Sequence, residues 1–236
     1  MKKAIVIVGG HNSWWPLYLK PARDLEAVSG LPAIGVPLMP WHWWQANRAT
    51  DASNILEKVS ETVAWAGRKY GAERFVLVGH SAGGLIARLY LCEEPVWGRV
   101  YGGVAQTSAL ITLGSPHCSR RNGEVGWYLA DAANRRAPGT PYADRIRYRT
   151  VAGRSILGRT NGSYRARRAH RAYRFLAGEG ALWGDGIVPV RCTTLEGAEQ
   201  LTLEGVGHSL KTGRNWYAGS RDRIRDWWPA GAGDGD

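Results

Sequence analysis

The stretch that most limits the fold is residues 74–85, RFVLVGHSAGGL. Phe75, Val76, Leu77 and Val78 make a short apolar run of the kind that fills a buried strand, and Leu85 opens an apolar helix. Between them stands Gly79-His80-Ser81-Ala82-Gly83, a G-x-S-x-G pentad. Between strand and helix, this pentad predicts a turn so tight that the serine is strained and its hydroxyl projects from the sheet edge. Glycines two before and two after the serine leave room for backbone that a Cβ would strike. The helix start adds unpaired N–H groups and the positive end of a dipole, both suited to negative charge.

The rest of the chain alternates in the same way. Residues 3–8 form a short β-branched run read as a buried parallel strand, ending in Gly9-Gly10-His11-Asn12. Residues 17–28 follow helical spacing and close at Gly30; residues 32–38 are a second strand, ending in Met39-Pro40-Trp41-His42-Trp43-Trp44. Asp51 or Ser53 caps a helix reaching Tyr70, with Gly71 beyond its end. After the pentad the helix runs to Cys92. Further strands are expected at 109–113, 148–152 and 199–203, and a final helix reaches Trp228. This pattern predicts an α/β fold with a mostly parallel sheet of about six strands and helices on both faces. The 236 residues suffice for one such core, taken as a single domain over 1–230, with a disordered Gly-Asp tail over 231–236.

The formal net charge of +11 is unevenly placed. Residues 119–175 hold 14 Arg and no Lys against Glu124, Asp131 and Asp144, while the remaining 17 basic and 17 acidic residues cancel. The excess is therefore read as a property of an insertion. Cys92, Cys118 and Cys192 are widely spaced and include no C-x-x-C pair, which suits a reducing compartment and argues against disulfides or a zinc site. No apolar run approaches the roughly 20 residues of a membrane span, and a cytoplasmic location is expected.

Asp185 lies in the loop Trp183-Gly184-Asp185-Gly186-Ile187-Val188-Pro189, and His208 in Gly205-Val206-Gly207-His208-Ser209. The order Ser81, Asp185, His208 is that of a nucleophile, an acid and a base on successive strand-end loops. A serine hydroxyl is a weak nucleophile and needs a base to take its proton; the acid orients the imidazole and stabilises its cation. The oxyanion formed on attack needs N–H donors: the Ala82 amide, and one from the first loop, taken as His11 with Gly10 and Asn12 as alternatives.

The motifs GHSAGG, VGGHN, ITLGSPH, GDGIVPV and GVGH, in this order, resemble the α/β-hydrolase superfamily. They are most similar to its lipase/esterase branch, including inositol-deacylase-like lipases with an LGTPH-type segment, here Leu113-Gly114-Ser115-Pro116-His117. That branch usually carries His-Gly where this chain has Gly9-Gly10. The resemblance covers nearly the whole chain outside the basic segment and the tail. It implies a serine hydrolase of carboxylic esters with lipid or other apolar acyl groups, working through an acyl-enzyme on Ser81. An acyltransferase, a thioesterase or a silent ligand-binding member would carry the same residues. No cofactor and no metal are expected.

Trp14, Trp15, Trp41, Trp43, Trp44 and Trp183 follow expected strands or flank the acid loop, and could build an apolar mouth over Ser81 or simply pack the loops. Gly10, Asn12, Trp14, Trp15, His80, His117 and Trp183 are the candidate pocket-lining residues. The arginines of residues 164–174, YRARRAHRAYR, lie all around a helix and not in one stripe, which fits an amphipathic membrane helix poorly. Residues 117–147 and 154–182 are expected as lid-like insertions. The basic 119–175 segment would be solvated, or attract an anionic membrane surface or acidic substrates; nucleic acid is disfavoured.

Overall fold

The structure is a computed structural model that describes residues 1–118 and 128–229. In chain order its elements are β1 (Lys3–Val8), α1 (Leu19–Ser29), β2 (Ala33–Gly35), α2 (Pro40–Ala49), α3 (Ser53–Tyr70), β3 (Arg74–His80) and α4 (Ala82–Leu91). There follow β4 (Thr107–Leu113), α5 (Tyr128–Arg136), β5 (Arg147–Arg154), β6 (Ile156–Leu157), α6 (Tyr164–Ala177), β7 (Trp183–Gly184), β8 (Glu199–Glu204) and α7 (Arg221–Trp227).

Six strands form one sheet in the order β2-β1-β3-β4-β5-β8, every neighbouring pair parallel. The central strands are apolar on both sides because both faces are covered. Side chains alternate with the pleat: Ala4, Val6, Val8, Phe75 and Leu77 join one core with α2, α3, α4 and α5. Ile5, Ile7, Val76 and Val78 join the other, with α1 and α7. The chain leaves β1 toward α1 on one face, and leaves β3 toward α4 on the opposite face. The carboxyl ends of these adjacent strands therefore part at a topological switch point, where open α/β sheets leave a crevice.

Several expectations change. The second strand shrinks to three residues, and Pro40 starts a helix where a loop was expected: its fixed φ suits a first helical turn, and Trp43 and Ala46 are buried on the inner face. The final helix is two pieces, a 3-10 segment Leu210–Asn215 and α7, whose Ser220 Oγ accepts from Arg223 N–H at 3.3 Å.

The lid reading of 117–147 does not describe α5, because Leu129, Ala130, Ala132 and Ala133 are core residues. Arg88, itself buried, donates to the Ala137 carbonyl (2.6 Å) and to Asn134 Oδ1 (2.9 Å), closing the C-terminal end of α5. Residues 119–127 of that expected insertion and the tail lie outside the described residues.

Cys118 and Cys192 are joined in a disulfide across 74 residues, and Cys92 is free and buried. Spacing alone hid the pair: the loop after β4 meets the turn before β8, and His117 N–H donates to the Cys192 carbonyl at 2.7 Å. The unpaired-thiol argument for a reducing compartment therefore falls. Among the described residues no helix is long and apolar enough to cross a membrane.

Candidate active site

Ser81 sits between β3 and α4 with φ 53° and ψ −126°, a conformation that L residues rarely adopt. The elbow closes so tightly that a Cβ on Gly83 would stand 2.0 Å from the Val8 carbonyl oxygen. This half-buried serine meets His208, carried by the loop after β8. His208 Nε2 lies 2.9 Å from Ser81 Oγ, and its Nδ1 lies 2.7 Å from Asp185 Oδ2. A carboxylate only accepts, so Nδ1 carries the proton and Nε2 is left to accept from the Ser81 hydroxyl. The His208 N–H also donates to the Asp185 carbonyl at 2.9 Å, which ties the two loops at the backbone.

Asp185 follows the small β6–β7 ribbon that extends from the end of β5, and its side chain is fully buried. Burial alone would raise its pKa, but the adjacent His208 and the N–H groups of Val188 and Ile187 outweigh it and hold the carboxyl below its usual range. Oδ1 accepts from Val188 N–H (2.7 Å) and Ile187 N–H (3.0 Å), and Oδ2 accepts also from Tyr217 Oη–H (2.8 Å). Burial, then the Asp185 charge, pushes Tyr217 well above an ordinary phenol, so it remains a donor.

The first loop lies directly against the serine: a Cβ on Gly10 would come 2.8 Å from Ser81 Cβ. The Gly10 N–H donates to Tyr18 Oη at 2.9 Å, which removes Gly10 from the three amides considered for the oxyanion and leaves His11 and Asn12. Ala82 opens α4, where N–H groups have no intrahelical acceptor. The His11 ring turns toward α2, packing edge-on to Trp43 with centroids 5.5 Å apart and standing 2.6 Å from Asn47 Nδ2. Its backbone, not its imidazole, belongs to the loop.

Three candidate pocket residues, His80, His117 and Trp15, are relocated. His80 and His117 are 7% and 4% exposed, so neither lines an open pocket. His117 Nε2 meets Thr112 Oγ1 (3.0 Å) and its carbonyl accepts from Asn134 (2.8 Å), a brace between β4 and α5; burial keeps its ring neutral. His80 lies beneath His208, its pKa lowered by burial to about 3. Trp43 is fully buried, which removes it from the expected mouth. Trp15 lines a cleft of about 540 Å³ beside β2, with Tyr18, Pro37 and Trp65, and Ser81 does not line it. Asn12, Trp14, Trp41, Trp44 and Trp183 are exposed, and the Arg154 guanidinium stacks 4.6 Å above Trp183. Tyr18 and Tyr217 were not among the sequence candidates; no motif marks them, because their part is set by contacts between distant loops. Among the described residues no cluster of His, Cys, Asp and Glu could hold a metal ion.

No protein-family model matches the chain, and no curated protein matches it in sequence. Solved structures do match in fold. A mature Bacillus licheniformis lipase, BlEst2, superposes with a TM-score of 0.61 at 19% identity, over 88% of this chain and 85% of its own. Phospholipase PlaB from Legionella pneumophila gives 0.57 at 14% identity over 91% of this chain, which spans 55% of that protein's length. The NocB thioesterase domain, solved as a covalent complex with a fluorophosphonate nocardicin G analog, gives 0.50 at 13% identity, over 95% and 94% of the two chains. At these identities the likeness establishes the α/β-hydrolase fold.

Proposed function

We propose that this α/β-hydrolase-fold chain is a serine hydrolase of carboxylic esters, acting on lipid or other apolar acyl groups through an acyl-enzyme on Ser81. The observation that carries the reading is the continuous Ser81–His208–Asp185 hydrogen-bonded line, with the serine strained at the sheet rim. His208 Nε2 takes the hydroxyl proton as Ser81 Oγ attacks the ester carbonyl. The oxyanion is met by the Ala82 amide and a first-loop amide, with His11 the favoured donor; losing one such donor typically costs about 3 kcal/mol of barrier. The imidazolium, stabilised by ionised Asp185, returns the proton to the departing alkoxide. Water then repeats the sequence on the acyl-enzyme and frees the acid. Thioester cleavage or transfer to another alcohol would use the same steps, and the named neighbours include a thioesterase as well as lipases.

The partner surface proposed with it is the outward face of α6, where Tyr164, Arg168, Arg171 and Phe175 align at helical spacing and would meet an anionic lipid surface. This differs from arginines spread evenly around the helix: Ala169 and Tyr173 occupy the buried side.

A fluorophosphonate probe tests the hydrolase reading. Labelling of the wild-type chain that disappears in Ser81→Ala supports it; labelling that persists in Ser81→Ala, or none in the wild type, refutes it.

A further inference from the structure

We propose that Tyr18 and His80 are positioning residues that lock the first loop to the base, so that the two sides of Ser81 keep one spacing. The functional part of this inference rests on the hydrolase reading above. The Gly10 N–H donates to Tyr18 Oη (2.9 Å), Tyr18 Oη–H donates to His80 Nδ1 (2.9 Å), and His80 Nε2–H donates to the His208 carbonyl (2.8 Å). The direction is forced from both ends: an amide N–H can only donate, and a carbonyl can only accept. Each group between must therefore accept on one side and donate on the other. Neutral imidazole with its proton on Nε2 does this; a cation would present a donor to Tyr18 at Nδ1.

The two loops do not follow neighbouring strands. The first loop follows β1 and His208 follows β8, and three strands, β3, β4 and β5, stand between them. Tyr18 and His80 are 6% and 7% exposed, so water competes little for their bonds. The His80 ring is held by neighbours, with centroids 5.1 Å from His208 and 5.6 Å from Trp216. A chain of three directional bonds thus spans from beside the serine to the backbone of its base. Attack requires the imidazole on one side of Ser81 Oγ and amide donors on the other. Misplacement of either by about 1 Å can cost a hundredfold in rate.

The test uses the full chain and three variants. Tyr18→Phe keeps the ring and deletes both hydroxyl bonds. His80→Asn is too short to reach the His208 carbonyl, and His80→Gln places an amide donor near the Nε2 position. The first readout is independent of hydrolysis: ring-nitrogen NMR of the histidines, with His208 assigned by its loss in His208→Ala. The second is the rate of fluorophosphonate labelling. Tyr18→Phe and His80→Asn should shift the His208 ring nitrogens and slow labelling about ten- to a hundredfold while remaining folded. His80→Gln should recover most of both. Unmoved His208 resonances in Tyr18→Phe and His80→Asn overturn the proposal, and so does equal damage in His80→Gln and His80→Asn. A wild-type chain that takes no label refutes the hydrolase reading instead, and the resonances still decide on the lock.

Discussion

At the scale of residues, the centre of the site is a buried carboxylate kept ionised by donors. Asp185→Asn removes the charge and reverses the hydrogen-bond preference at His208 Nδ1; turnover of a p-nitrophenyl ester should fall by about 10⁴ with the fold intact. Near-normal turnover would place the acid elsewhere. Tyr217→Phe removes one of the donors to Oδ2 and should lower kcat by about tenfold, with a smaller change in KM. The same carboxylate links stability to pH. Its folded pKa lies below the unfolded value, so its contribution is complete above the unfolded carboxyl value of about 4 and is lost as pH falls through the lower folded one. Urea midpoints measured down through that range should fall more steeply for the wild type than for Asp185→Asn, and parallel curves would contradict this. The meeting of Ser81, Asp185 and His208 was legible in the sequence because chain order and strand-end position constrain it. Tyr18, Tyr217 and the true place of His80 were not, because a hydroxyl or ring that acts through a three-dimensional contact leaves no spacing to read.

At the scale of elements, the strands were legible wherever both faces are buried, as in β1 and β3, whose apolar runs admit few alternatives. Edge and rim elements were not. The tryptophan-rich stretch after β2 looks like loop by composition, yet Pro40 and the buried pair Trp43 and Ala46 make it α2. Cysteine spacing likewise carried no sign that the loop after β4 touches the turn before β8. That disulfide closes a long loop, and by chain entropy its loss should cost up to about 4 kcal/mol. Urea unfolding of Cys118→Ser against the wild type checks it: a large drop in midpoint is expected, and the addition of reductant should leave the variant unchanged. Equal stability of the two would mean that the bond contributes nothing to the fold.

At the scale of the whole molecule, one switch point gathers loops from β1 and β3, and the ends of β5 and β8 bring Asp185 and His208 to the same rim. Part of the basic excess is neutralised within the fold by Arg145–Glu93, Arg149–Glu199 and Arg154–Glu204. On α6, Arg165, Arg168 and Arg171 are exposed and form no ion pair among the described residues. Tyr173 Oη, accepting from Gly186 N–H at 2.8 Å, fastens that helix to the acid loop. Sedimentation with phosphatidylglycerol vesicles should show binding that weakens with salt and with Arg168→Glu/Arg171→Glu, by about 1 kcal/mol for each lost arginine. Equal binding to neutral phosphatidylcholine would exclude an electrostatic contact.

The central claim, acylation of Ser81 by an ester with His208 and Asp185 assisting at this rim, is tested most directly by rapid-quench intact-mass measurement during turnover of a p-nitrophenyl ester. A mass increase of one acyl group, mapped to the Ser81 peptide and absent in His208→Ala, is the predicted result. Ester cleavage at full rate with Ser81 unmodified, or undiminished in Ser81→Ala, would contradict it.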